Sequence, residues 1–313
     1  MNEESCTKCG KRSVYKRKYS GERLCSLCFS GSIVEKTKKI ISKYDLLKRG
    51  EKVAVGVSGG KDSLSLLHVL SKVTANHDSK LFAITVDEGV EGYKDEAVRY
   101  AEKVSSMLGV EQITLSFKDL YDFGLDEALE VRNGSKIASC TICGVLRRRA
   151  LEIGAKRIDA DVIATGHNLD DVLQTFMMNL FRGDVERIRR IDPELEPSKD
   201  FAFRRIKPFM EIYEEEIAFY AFINKLPMQS ESCPHMSESI RSEMRDILNK
   251  LEITHPGMKF SALRSILNIA GNLAVPKRRV EACSVCGFPS SGDVCSVCST
   301  VRVVSNWKSK STA

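Results

Sequence analysis

Val53-Ala-Val-Gly-Val-Ser-Gly-Gly-Lys-Asp-Ser63 decides the fold of this 313-residue chain. Val53, Val55 and Val57 are β-branched and suit a buried strand. Gly59 and Gly60 end it, because glycine takes backbone conformations closed to other residues and lets a ligand come close. Asp62 and Ser63 then open an apolar helix through Leu64, Leu66, Leu67 and Leu70. The backbone N–H groups at such a helix start attract anions, so a nucleotide polyphosphate is the expected ligand. The spacing is not that of a Walker loop, which puts four residues between its first glycine and the Gly-Lys pair. Here three residues separate Gly56 from Gly60-Lys61, and Asp62 follows. It is not the GxGxxG dinucleotide fingerprint either.

Outward from this stretch, strand and helix signals alternate. Strands are expected at 52–57, 81–86, 111–116 and 161–165, and helices at 62–74, 93–109, 144–155 and 169–182. That alternation predicts an α/β fold, Rossmann-like, with a parallel sheet covered by helices on both faces. Ligands of such sheets sit beyond the carboxyl ends of the strands. Three segments obey that rule: the Ser58 loop, Asp87, and Gly166-His167-Asn168. Gly166 would let a nucleotide pack against the backbone. Asp170 and Asp171 follow at a helix start, where carboxylates act as ordinary caps, and capping is the expected role of Asp170. A carboxylate there can also hold Mg2+ near a triphosphate or take a proton from substrate. A connecting helix is expected at 32–48, a linker or RNA-facing loop at 192–204, and further helices at 213–225, 237–251 and 259–274. The domain plan is therefore residues 1–30, a cysteine module; 31–275, the α/β domain with its connecting helix; and 276–313, a second cysteine module with a basic tail.

Hydrophobic residues make up 42% and charged residues 29% of the chain, as in soluble globular proteins. No apolar run reaches the ~18–20 residues of a membrane span, and the polar start does not read as a signal peptide. A cytoplasmic protein without a membrane partner is expected. The net charge of +6 is mild, but its distribution is not even. Lys8, Lys11, Arg12, Lys16, Arg17 and Lys18 crowd the first module, and Arg147–Arg149, Arg187–Arg190, Arg204–Lys207 and Lys277–Arg279 form local patches. Each alone is an ordinary solvated face; together they favour a polyanionic partner, RNA.

The eleven cysteines do not suit a secreted disulfide framework. Cys6, Cys9, Cys25 and Cys28 have zinc-site spacing, and Cys283, Cys286, Cys295 and Cys298 repeat it more tightly. Each pair of CxxC loops makes a closed tetrahedral site, which is structural because no position is left for substrate. Neither segment has the apolar content to fold alone, so metal would supply roughly 10–16 kcal/mol of folding energy. Cys140, Cys143 and Cys233 remain. If a helix already includes the first two, Cys140, Cys143 and Arg147 share one side of it. Three thiolates leave one metal position open, as in a [4Fe–4S] cluster with one uncoordinated iron, since full ligation takes four cysteines. The same thiols could instead carry a persulfide and form a disulfide, or be buried free cysteines.

Ser58-Gly-Gly-Lys-Asp-Ser63 looks like the PP-loop of the ATP pyrophosphatase superfamily. Together with Cys140-Thr-Ile-Cys143, the distant Cys233, Thr165-Gly-His-Asn-Leu-Asp-Asp171 and the flanking four-cysteine modules, it resembles the tRNA 2-thiolation enzymes of the TtuA/NcsA group over nearly the whole chain. The resemblance implies ATP binding by Ser58, Gly59, Gly60, Asp62 and Ser63, with Val57, Val86 and Gly166 at the adenosine. Asp87, Arg147 and His167 join that candidate nucleotide site. It further implies that Cys140, Cys143 and Cys233 hold a [4Fe–4S] cluster, that Arg147 lies close to both ATP and cluster, and that Asp171 is catalytic. Arg147 falls where the family carries a basic residue, and a Lys there would keep the charge but not the geometry. The implied reaction adenylates the uracil C2 oxygen, with Lys61 and Mg2+ stabilising phosphate charge, and then replaces that oxygen by sulfur from the open iron. The donor would be sulfide or a ubiquitin-like thiocarboxylate carrier, and the target the wobble uridine of tRNA. The competing expectations are a T-loop uridine, a cluster-free persulfide thiolase, and an anticodon-loop cytidine enzyme, which lacks the paired modules. A thiolation-free lysidine or amide synthetase has no use for the three cysteines, and a non-catalytic RNA-binding zinc protein has none for the intact loop. A homodimer packed through the terminal modules is a further expectation.

Overall fold

The computed structural model describes residues 4–132, 137–193, 203–229, 231, 233–235, 240–274 and 280–311. A short hairpin of β1 (Tyr15–Lys16) and β2 (Arg23–Leu24) leads into α1 (Ser26–Lys43). Then come β3 (Lys52–Gly56), α2 (Lys61–Thr74), β4 (Lys80–Asp87), α3 (Lys94–Met107), β5 (Glu111–Ser116), α4 (Phe117–Tyr121), α5 (Leu125–Glu130) and α6 (Ser139–Arg157). They are followed by β6 (Val162–Ala164), α7 (Leu169–Phe181), α8 (Val185–Arg189), β7 (Arg204–Ile206), α9 (Glu214–Ile223), α10 (Arg241–Thr254) and α11 (Met258–Asn272). A second hairpin, β8 (Glu281–Ala282) and β9 (Pro289–Ser290), and α12 (Ser296–Ser311) complete the described chain.

The five-stranded sheet has the order β5-β4-β3-β6-β7, with every pair parallel. Val53, Ala54 and Val55 are wholly buried at its centre, as a strand covered on both faces requires. The chain steps from β3 out through β4 to β5, then returns to β6 and β7 on the other flank. The direction of winding therefore reverses between β3 and β6, and a crevice opens there at the carboxyl ends.

Several expectations change. The linker expected at 192–204 ends in a fifth strand, β7, too short and too rich in arginine to be read as one; residues 194–202 lie outside the described residues. Helix α10 starts at Arg241 rather than 237, and 237–239 also lie outside them, as does the Lys277–Arg279 patch. The basic tail is helix α12 instead. The connecting helix starts at Ser26 and stops at Lys43, so Cys28 belongs to its first turn.

The terminal modules are not separate bodies. Leu24, Cys25, Phe29 and Ile33 lie in one buried cluster with Leu66, Ile217 and Tyr220. Tyr15, Phe29 and Phe219 pack in tilted and edge-on pairs at centroid distances of 4.5–4.9 Å. Arg17, grouped above with the basic surface, is instead 4% exposed and bonds Glu216 at 2.5 Å. At the other end, Cys283, Cys295, Val297 and Val304 share a buried cluster with Ile142, Leu146 and Ala150 of α6. Each module thus borrows apolar surface from the α/β domain, and metal need not supply its whole folding energy.

Candidate active site

Gly60 caps α2 in extended conformation, so the loop's last turn feeds straight into the helix. Gly59 has φ +85°, and a Cβ there would lie 2.3 Å from the Ala97 carbonyl of α3. Only glycine fits this turn. The Ser63 hydroxyl accepts from the Ser58 N–H at 3.0 Å and donates to the Gly60 carbonyl at 3.0 Å, which ties the loop into a ring. Lys61 Nζ donates to Asp62 Oδ2 at 2.8 Å and to Glu214 Oε1 at 2.7 Å. Burial works against the Lys61 ammonium, but these two carboxylates outweigh it and hold its pKa above the usual lysine range. Burial pushes the Asp62 carboxyl up. Val57 and Val86 are 2% and 4% exposed, so their side chains serve the core. Asp87 Oδ1 accepts from the Gly89 N–H at 2.9 Å at the end of β4.

The β6–α7 turn packs directly on this loop. A Cβ on Gly166 would come 2.9 Å from the Asp62 carbonyl carbon, so this glycine's missing side chain admits the first turn of α2. Asn168 Nδ2 donates to Asp62 Oδ1 at 3.1 Å. The helix cap is Asn168, not Asp170: its side chain accepts from Asp171 N, and Asp171 accepts in return from Asn168 N. Asp170 is buried, paired with Lys259, and caps the neighbouring helix by accepting from Glu214 N at 2.9 Å. Burial pushes Asp171 up to about 6, against the Asn168 N–H and Arg241, while Asp62 and Glu214 add to the rise. His167 bonds Thr165 at 2.8 Å. Burial, then Lys207, Arg147, Arg241 and Arg205, push it down to about 3, so it is neutral.

Helix α6 begins at Ser139, five residues before the expected start, and therefore includes both cysteines. Cys140, Cys143 and Arg147 then fall on one side of it. Cys233 joins them: its charge and that of Cys140 both act on Cys143, whose thiol burial pushes up to about 11. Helices α2 and α6 cover opposite faces of the sheet, and the loop and the thiols come together at its carboxyl end, where Glu88 acts on Cys143. Gln229 N–H donates to the Gly59 carbonyl at 3.1 Å, and four residues of chain then span at most about 14 Å to Cys233. Ser139 Oγ donates to the His235 carbonyl at 3.1 Å, which returns that segment to the start of α6. His235 Nε2 meets Asp126 Oδ1 at 2.7 Å. Arg147 acts on His167 and on Cys143 alike, and its guanidinium stands 3.6 Å from buried Glu88. Glu88 in turn pairs with buried Lys94 at 2.8 Å.

Among the described residues, only the two terminal quartets bring three or more potential ligand atoms within 4.8 Å of one another. One zinc ion with Zn–S bonds of about 2.3 Å needs that closeness. In the second quartet the N–H groups of Cys295 and Val285 donate to Cys283 Sγ and, led by Cys295, pull it down to about 6 despite burial. The core trio is wider than this spacing. It is not closed around a single ion as the quartets are.

Sequence reading did not single out Glu88, Gln229, Glu214 or Arg241, and took Lys207 only as part of a basic patch. Glu88 directly follows Asp87 at a strand end, a signal that was legible. Glu214 and Arg241 reach the site from helices distant in the chain and leave no local pattern.

A PP-loop domain description matches residues 30–251, and that of the N-terminal LIM domain of the 2-thiouridine synthetase TtuA matches residues 5–30. A probable sulfurtransferase of Methanocaldococcus jannaschii is 37% identical over 295 residues, 93% of this chain and 85% of that protein. Cytoplasmic tRNA 2-thiolation protein 1 of Danio rerio is 36% identical over 299 residues, 94% of this chain and 86% of that protein. The solved structure of the U34-tRNA thiolase NcsA from Methanococcus maripaludis with its [4Fe-4S] cluster matches with a TM-score of 0.84 at 36% identity, over 96% of this chain and 97% of that one. With a parallel sheet wound about a PP-loop and cysteine modules at both ends, the chain belongs to the PP-loop tRNA thiolases of the TtuA/NcsA group.

Proposed function

We propose that this chain places sulfur on C2 of the wobble uridine of tRNA, consuming ATP and releasing AMP and pyrophosphate. The observation that carries the reading is the short path from the PP-loop through Gln229 to Cys233, with Arg147 acting on both His167 and Cys143. Loop N–H groups, Ser58, Ser63 and Lys61 hold the polyphosphate, accompanied by Mg2+ that keeps most of its waters. Uracil O2 attacks the α-phosphorus and the bond to pyrophosphate breaks, while Asp171 takes the N3 proton. Hydrosulfide then attacks C2, the bond to AMP breaks, and the hydrosulfide proton returns to the ring. Arg147 offsets the charge that develops on the bridging oxygen. A [4Fe–4S] cluster held by Cys140, Cys143 and Cys233 would supply an open iron position for the incoming sulfide. The overall change is not redox.

Residues 1–30 and 276–313 act as zinc modules around a catalytic domain of residues 31–275, with one zinc in each quartet. Sulfide or a thiocarboxylated carrier donates sulfur, in the cytoplasm, and a homodimer is the proposed assembly. No helix among the described residues is long and apolar enough to cross a membrane.

The test is anaerobic reconstitution with iron and sulfide, incubation with ATP and tRNA, and position-resolved mass spectrometry of the nucleosides. The expected product is 2-thiouridine at position 34, from a protein with broad visible absorption. Cys233→Ala should lose both product and absorption. Thiolation only in the T-loop overturns the assigned position, and full activity of Cys233→Ala overturns both the cluster route and its persulfide rival.

A further inference from the structure

Lys207 follows the last residue of β7, whose neighbour is β6. The Thr165 N–H donates to the Ile206 carbonyl at 3.0 Å, so Lys207 lies at the same carboxyl edge as Gly166 and His167. It is half-buried, and its ammonium has no hydrogen-bond or ion-pair partner among the described residues. Asp171 attracts it and Arg205 repels it, while burial draws its pKa below the usual lysine range. Arg148, exposed on α6, also has an unpaired guanidinium among the described residues. Arg205 fastens the two elements together, since its Nη2 donates to the Arg148 carbonyl at 3.2 Å and to Glu152 Oε1 at 2.7 Å. Arg187, which also acts on Arg148, is paired with Asp184 at 3.2 Å. Two unpaired cations are thus set among paired ones.

A desolvated ammonium with no anion in hydrogen-bond or ion-pair contact is costly and is relieved by one. The polyphosphate already has Lys61 and the loop N–H groups. Strand β4, which carries Val86 and Asp87 of the candidate adenosine pocket, lies on the opposite flank of β3. Lys207 stands two strand spacings from β3 on the other side, about 10 Å. We infer that Lys207 and Arg148 form a lane on the β7 flank that binds the RNA backbone phosphates beside the target uridine, across β6 from the polyphosphate loop. This rests on the tRNA reading above. Such contacts set the register of the substrate without reading its sequence.

The experiment titrates tRNA binding against salt, without ATP, for the full chain and for Lys207→Ala, Arg148→Ala and Lys207→Arg. Lys103→Ala, exposed on α3, controls for loss of any positive charge. Each alanine variant should bind tRNA about 3–10-fold more weakly and lower the slope of log affinity against log salt by about 0.7–0.9, the share of one phosphate. Lys207→Arg and Lys103→Ala should keep the slope, and ATP affinity should not change. Unchanged tRNA binding by both alanine variants overturns the lane, and so does a loss of ATP affinity with tRNA binding intact. Because binding is read without turnover, a wild-type chain that thiolates tRNA while the variants bind normally refutes the lane alone. A chain that binds tRNA but makes no thiouridine refutes the proposed reaction alone.

Discussion

Asp171 carries two duties that pull against each other. As the third residue of the α7 capping box it accepts from Asn168 N at 3.2 Å, and as the proposed base it must be able to gain a proton. Burial raises its pKa from 3.8 to about 6, so the fold disfavours its charge. The linkage follows: the favourable protonated state is fully present below about pH 4, and its contribution to stability is lost as pH rises through about 6. Activity runs the other way, because a base works unprotonated, and single-turnover thiolation should climb through about pH 6. Arg241, 3.4 Å from Asp171, holds that pKa down, so Arg241→Ala should shift the climb to higher pH. Asp171→Asn keeps an acceptor for Asn168 N. It should melt near the wild-type temperature while losing roughly 10²–10⁴ in rate, the usual worth of a general base. An unshifted limb in Arg241→Ala, or an active Asp171→Asn, would remove Asp171 from the chemistry.

At the scale of elements, α9 joins the first cysteine module to the PP-loop. Its Glu214 bonds Lys61, while Glu216, wholly buried, gathers Arg17 at 2.5 Å, Lys36 at 2.8 Å and Tyr19 at 3.0 Å. Removing one member of a buried charged set strands the others in low dielectric. Glu216→Ala should therefore cost about 3–5 kcal/mol by urea unfolding; a loss under ~1 kcal/mol would mean that water reaches the site. Nothing in the local sequence marks this glutamate among Glu214–Glu216. Only the helix phase turns one of the three inward. Similarly, Cys140 and Cys143 could be paired by spacing, but the start of α6 at Ser139 was not legible, because Ser139-Cys-Thr-Ile-Cys143 has no apolar stripe of helical length.

For the molecule as a whole, the second quartet is a brace for α6. Cys283 and Cys295 are buried against Ile142 and Leu146, and the Arg149 guanidinium lies 3.8 Å over the Phe288 ring. On the proposed zinc in each quartet, Cys298→Ser should lower the zinc content by one ion per chain. It should also speed amide exchange across residues 139–151 and weaken retention of the visible chromophore, although Cys298 lies outside the core trio. Normal exchange in that helix after the loss of zinc would show that the brace is not needed.

The order of local motifs was enough to specify the PP-loop turn, the parallel α/β class and the cysteine quartets. Each of these is written in residues close together in the chain, where periodicity, glycine geometry and ligand spacing act directly. Tertiary structure alone decided that Arg17 is an interior ion-pair partner, that Asp170 serves α9 while Asn168 caps α7, and that Lys207 stands unpaired beside Asp171. It also merged both cysteine modules into the central cores. The outcomes for Arg17 and Asp170 depend on which buried charge finds which partner across 199 and 44 residues of chain, and electrostatic pairing at that range leaves no local trace.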